Sequence, residues 1–249
     1  MLITVINPNT SREMTSTIES SARAVAGPDT VVRAVRPPMG PASVESYYDE
    51  ALAVPGVLAE IAAGEELGSD GYVIACFGDP GLYAARELAR GPVVGIAEAA
   101  MHAASFLGTG FSVVTTLDRT KGQAWHTAER TGMARFCRGV HACDIAPLDL
   151  DTDPLAVKRV TDACAAALEQ DGSDVIVLGC SGMSAWCAQI GAEIGAPVVD
   201  GVSAAVLQVQ SLVTMGLRTG DRGEFAAPPP KRYDGLLQEF GVPLTGSGA

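Results

Sequence analysis

The sequence has no long apolar run, little positive charge and no closely paired cysteines, and each absence removes a class of protein. Its apolar stretches, such as Val175-Ile176-Val177-Leu178, fall far short of the ~20 residues that a membrane-spanning helix requires. No basic region precedes the opening run Met1-Leu2-Ile3-Thr4-Val5-Ile6. That run therefore reads as a buried strand and not as an export signal, and a cytoplasmic setting is expected. Against 29 Asp and Glu stand only 17 Lys and Arg, a formal net charge of −12. Such a surface has little to offer a phosphate backbone, which argues against nucleic acid as a partner. No Walker loop, no G-x-G-x-x-G after a strand and no G-x-S-x-G turn occurs, so nucleotide binding and a serine nucleophile elbow lack support. Cys137, His141 and Cys143 form a loose cluster without a fourth ligand, and no metal is expected there. In a reducing compartment the six cysteines are thiols and not a disulfide framework.

What remains is a globular composition, 47% hydrophobic and 18% charged. Short β-branched runs are expected as strands at 3–6, 31–35, 72–75, 93–95, 112–116, 142–146, 175–178 and 198–199. They alternate with Ala-rich amphipathic stretches expected as helices near 11–26, 48–67, 81–90, 97–107, 119–132, 154–170, 184–194 and 202–216. Strands alternating with helices predict an α/β fold of parallel sheets covered on both faces.

An internal repeat adds the organisation. Ser69-Asp70-Gly71-Tyr72-Val73-Ile74-Ala75-Cys76-Phe77-Gly78 lies over Ser173-Asp174-Val175-Ile176-Val177-Leu178-Gly179-Cys180-Ser181-Gly182, one residue shorter between Asp and Cys in the second copy. Gly91-Pro92-Val93-Val94-Gly95 then lies over Ala196-Pro197-Val198-Val199-Asp200, and Leu2–Ile6 has its counterpart in Phe111–Thr115. The period is too long for a solenoid. It predicts two pseudo-symmetric α/β domains facing each other across a cleft, 1–98 with 206–249 returning to it and 99–205. The returning helix is expected against the first half, followed by a partly loose tail through Pro228-Pro229-Pro230 and Gly246-Ser247-Gly248.

In each copy a cysteine follows an apolar strand, with a helix expected just beyond. Ligands of open α/β sheets bind outside the carboxyl ends of the strands, which is where Cys76 and Cys180 would stand. Asp79 and Pro80 are expected as N-cap and first residue of the helix after Cys76. A helix N-terminus there would favour thiolate. Gly78 and Gly182 would let backbone N–H groups approach a ligand and steady an enolate. A single cysteine is more often a small buried hydrophobe; two at equivalent strand ends of a duplicated half favour chemistry. Cys164 and Cys187 lie within helix patterns and read as packing, as do His102 and His126.

Three segments carry a resemblance: Ile6-Asn7-Pro8-Asn9-Thr10-Ser11, Ala75-Cys76-Phe77-Gly78-Asp79-Pro80-Gly81 and Leu178-Gly179-Cys180-Ser181-Gly182-Met183. They are similar to the hydantoin racemases of the aspartate/glutamate racemase superfamily, near which the allantoin racemases stand. The resemblance reaches to about residue 217. It implies an interdomain active site, no cofactor, a small-molecule substrate and a homo-oligomer. It further implies two-base chemistry, in which one of Cys76 and Cys180 removes a proton from the stereocentre and the other supplies one to the opposite face. Amino-acid racemases of the superfamily carry an Asp after the first strand and a His soon after the second cysteine. Here those places hold Asn7 and Gly182-Met183-Ser184, which suit a neutral cyclic ureide better than a zwitterion. A 5-substituted hydantoin is the substrate expected first, allantoin second. Expected substrate contacts are Asn7, Ser43, Phe77, Gly78, Thr116, Ser181 and Gly182. Asn7 equally fits a turn before a helix capped by Thr10 or Ser11, and Ser43 equally caps its own loop. Arylmalonate decarboxylation, maleate isomerisation and a non-enzymatic binding module are the competing readings. Two retained cysteines weigh against the first and last, and the lack of an evident Arg pair against the second.

Overall fold

A computed structural model describes residues 1–241; the Gly246-Ser247-Gly248 part of the expected tail, and 242–249 of the expected returning segment, lie outside the described residues. In chain order the elements are β1 (Leu2–Ile6), α1 (Arg12–Val25), β2 (Val31–Val35), α2 (Tyr47–Leu67), β3 (Gly71–Ile74), α3 (Leu82–Leu88), β4 (Val93–Gly95) and α4 (Ile96–Ser105). The second series is β5 (Phe111–Thr115), α5 (Lys121–Arg130), β6 (Cys137–Ala142), α6 (Ala156–Asp171), β7 (Val175–Leu178), α7 (Cys187–Ile194), β8 (Val198–Val199) and α8 (Gly201–Thr214). Two four-stranded sheets result, ordered β2-β1-β3-β4 and β6-β5-β7-β8. Every pairing is parallel. The strand order of one sheet is that of the other, so the repeat in the sequence is a repeat in space.

The central strands are apolar on both faces because both faces are covered. All of β3, β5 and β7 is buried, as parallel sheets require. Equivalent aspartates fasten equivalent strand starts: Leu2 N–H donates to Asp70 Oδ2 at 2.7 Å, and Thr109 N–H donates to Asp174 Oδ2 at 2.7 Å. Ser11 caps α1, its hydroxyl accepting from Met14 N–H. Helix α2 ends at Gly68, whose φ of +74° places it in the left-handed region that closes helices.

Two helices bind the halves together. Helix α4 turns Ile96 and Ala99 into the core around Ile3, Val5 and Val73, and Ala97, Ala100 and Met101 into the core around Phe111, Val113 and Val177. The domain boundary expected after residue 98 falls inside this helix. Helix α8 returns to the first sheet, burying Val202, Ala205, Val206 and Val209 against Ile3, Val5 and Val73. Each of these valines removed from water contributes roughly 1.5–3 kcal/mol.

One strand differs from expectation. The sixth runs over Cys137–Ala142 and not 142–146. It is an edge strand paired only with β5, so Arg138 and His141 can sit on it without breaking a core. Beyond it, Cys143 and Ile145 still donate to the carbonyls of Thr115 and Thr116, but Asp144 turns to φ +54° and ends the ladder. Among the described residues no helix is long and apolar enough to cross a membrane.

Candidate active site

The carboxyl ends of β1, β3, β5 and β7 open into one cleft between the halves, lined among others by Asn9, Ala75, Cys76, Phe77, Gly78, Thr115, Thr116, Gly179, Cys180 and Ser181. It encloses about 550 Å³ including its open mouth. Both cysteines are partly exposed and free. Of the expected contacts, Phe77, Gly78, Thr116 and Ser181 line the cleft; Asn7, Ser43 and Gly182 do not.

The reasons are local. Asn7 is 1% exposed, and its amide is used within its own loop, donating to Asn9 Oδ1 at 2.8 Å and Thr15 Oγ1 at 3.0 Å. It is the turn-forming residue, and Asn9 reaches the cleft in its place. Ser43 donates to Glu45 Oε1 at 2.5 Å, while its neighbour Val44 lines the site. Gly182 lies behind Cys180: a Cβ there would meet Leu150 Cδ1 at 2.9 Å. Phe77 reaches the cleft but packs its ring into the core of the second half.

Neither thiol is favoured as thiolate in the way the helix argument expected. Burial pushes the Cys76 thiol up to about 12, the Gly78 backbone N–H pulling it back and the nearby Glu50, Cys180 and Asp79 pushing further. Burial likewise raises Cys180 to about 12 against the pull of the Gly182 N–H. The expected helix start is not at Cys76. Helix α3 begins at Leu82 behind Gly81, and Cys180 opens only a short 3-10 turn, Ser181–Trp186.

Asp79 is not the cap of α3. Its backbone adopts φ +48°, a region that Asp tolerates better than most side chains. The side chain turns to α4, where Oδ1 accepts from Ala97 N–H and Oδ2 from Glu98 N–H, each at 3.0 Å. The N-cap of α4 is Gly95, which has no side chain to cap with. A Cβ at Gly95 would lie 2.2 Å from Asp79 Cγ, so the glycine is what admits the carboxylate. Burial raises Asp79 to about 7 against the pull of the Ala97 N–H, with the Glu98 charge adding to the rise.

Residues that the repeat did not reveal complete the lining: Met14, Val44, Glu50, Thr120, Gln123, Ala124 and Pro147. They come from helices and loops outside the repeated segments, so self-similarity could not mark them. Glu50 is the only carboxyl in the lining, which contains no Lys or Arg among the described residues. The expected neutral pocket is therefore neutral except for Glu50. Cys137, His141 and Cys143 do not line the cleft, and His141 Nε2 meets Asp171 Oδ2 at 2.7 Å. No group of three or more His, Cys, Asp or Glu able to hold a metal occurs among the described residues.

Two parallel-sheet halves meeting at a cleft with one thiol from each define a racemase-type scaffold. The chain belongs to the Asp/Glu/hydantoin racemase family, whose model matches residues 3–209. It is 44% identical over 242 residues to a hydantoin racemase of Pseudomonas sp. strain NS671, covering 97% of both chains. It is 51% identical to the allantoin racemase from Klebsiella pneumoniae, with a TM-score of 0.95 over 97% of this chain and 99% of that one. To the allantoin racemase structure from Pseudomonas fluorescens it is 39% identical, with a TM-score of 0.91 over 94% and 100% of the two chains.

Proposed function

We propose that Cys76 and Cys180 invert the C5 stereocentre of a neutral hydantoin ring, a class that includes allantoin, which is 5-ureidohydantoin. The sulfur on one face, as thiolate, takes the C5 proton, and the C–H electron pair moves onto the adjacent carbonyl as an enolate. The thiol on the other face then gives its proton to C5 as the enolate collapses, leaving the product enantiomer and the thiolate on the opposite side. The next turnover of that enantiomer runs in reverse. The backbone N–H groups of Gly78 and Gly182, which bond to Cys76 and Cys180, steady each sulfur while it carries the charge. General acid–base help from a thiol contributes ~10²–10⁴-fold.

The observation that carries this reading is two thiols open to one cleft that has no basic side chain in its lining among the described residues. A dicarboxylate or zwitterion would leave its carboxylate without a cationic partner there. Purified protein should abolish the optical rotation of single enantiomers of 5-benzylhydantoin, 5-isopropylhydantoin or allantoin, and leave aspartate unchanged. Racemisation of aspartate alone would overturn the proposal.

A further inference from the structure

Above the two cysteines the cleft is bounded by α2 from one half and α5 from the other. Tyr47 on α2 and His126 on α5 touch, Oη to Nδ1 at 2.5 Å, so the two helices are held face to face. One turn inward, each presents a polar group to the cleft: Glu50 from α2 and Gln123 from α5. The Glu50 carboxyl lies over Gly78, where a Cβ would come within 1.8 Å of Oε1. That glycine leaves room for the carboxyl beside Cys76. Gln123 is only 8% exposed, yet its Nε2 has no hydrogen-bond partner among the described residues. Its amide lies near enough to the Glu50 carboxyl to favour the ionised form, but makes no hydrogen bond of good geometry with it. A buried amide donor left unbonded is destabilising, and a ligand carbonyl would satisfy it.

We infer that Glu50 and Gln123 form a recognition site for the C5 substituent, and that the substituent it takes is ureido-like, carrying N–H donors and a carbonyl acceptor. The inference rests on hydantoin-ring chemistry at Cys76 and Cys180. The pairing follows from the donor and acceptor inventory. A carboxylate has two oxygens for the N–H groups of a urea, and the free Nε2–H of Gln123 matches its carbonyl. Burial raises Glu50 above the usual carboxylate range, with the Gln123 amide, Arg130 and His126 pulling it partly back. Urea N–H groups donating to it favour the ionised form further. An alkyl or benzyl substituent would leave both groups desolvated and unpaired.

The test compares kcat/KM for allantoin with kcat/KM for 5-isopropylhydantoin in the wild-type protein, Glu50→Gln and Gln123→Leu, each first checked for folding by circular dichroism. The wild-type protein should prefer allantoin. In each variant the ratio of the two constants should fall about tenfold or more, the worth of one hydrogen bond to a buried polar or charged group, with the change in KM for allantoin. Q123L should also gain on the isopropyl compound. A wild-type preference for the isopropyl compound, or folded variants that lose both activities in equal proportion, would overturn the assignment. If the wild-type protein racemises neither compound, the hydantoin-ring reading itself has failed.

Discussion

In the proposed mechanism Cys76 and Cys180 share a chemical problem that each solves only with the other. A sulfur at about 12 is a strong base when ionised, but at pH 7 only ~10⁻⁵ of such groups is ionised. A raised thiol pKa means that thiolate accumulates with alkalinity, so kcat/KM, which reports the free enzyme, should climb about tenfold per unit between pH 6.5 and 8.5. Initial-rate polarimetry across that interval checks this. A flat profile would mean that a thiolate is already formed at neutral pH. The glycines matter individually, because the Gly78 and Gly182 N–H groups are what pull the two sulfurs back toward ionisation.

At the scale of elements, the helices that follow β4 and β8 start in mirrored ways. In the first half the carboxylate sits on the cysteine loop as Asp79 and the helix N-cap is glycine, Gly95. In the second half the carboxylate is the N-cap itself, Asp200, accepting from Val202 and Ser203 N–H, and the cysteine loop contributes Ser184, whose hydroxyl donates to Asp200 at 2.5 Å. Each arrangement ties a cysteine loop to the helix that begins the next part of the fold. Asp79→Asn keeps one acceptor and turns a donor amide toward a helix N–H. It should cost about 1–3 kcal/mol, seen at pH 8 as a lower urea midpoint with an unchanged denaturant slope. A midpoint equal to wild type would show that the α4 cap does not need the charge.

For the whole molecule, duplication has a stereochemical consequence. Each half brings one sulfur to the cleft, and in the proposed mechanism the two sulfurs act on a bound ring from different sides. Cys76→Ser and Cys180→Ser should each abolish racemisation, because serine is far too weak an acid to supply a base at neutral pH. The remaining thiol can still remove a proton and return deuterium on its own face. In heavy water each variant should therefore exchange C5–H of one enantiomer only, with opposite preferences, as followed by proton NMR. Near wild-type racemisation by either variant would remove its cysteine from the mechanism.

The sequence alone determined the layout because the layout is repetitive and apolar. Buried parallel strands write themselves as uninterrupted β-branched runs, and the Ser69 and Ser173 segments marked where two such strands end in cysteine. Edge strand β6 was misplaced by several residues because an edge needs no apolar run; Arg138, Gly139 and His141 broke the signal that Ala142–Ala146 imitated. Tertiary structure decided which polar groups face the cleft. Asn7 and Asn9 are indistinguishable in the Asn-Pro-Asn run, yet the first is spent on its own turn and the second lines the site. Asp79 looked like a local cap, but the vacant N-cap at Gly95 lies across the fold. Glu50 and Gln123 lie on different halves and meet only when α2 and α5 close over the cysteines. A side chain's direction and its partners depend on contacts between distant segments, and no spacing along one chain encodes them.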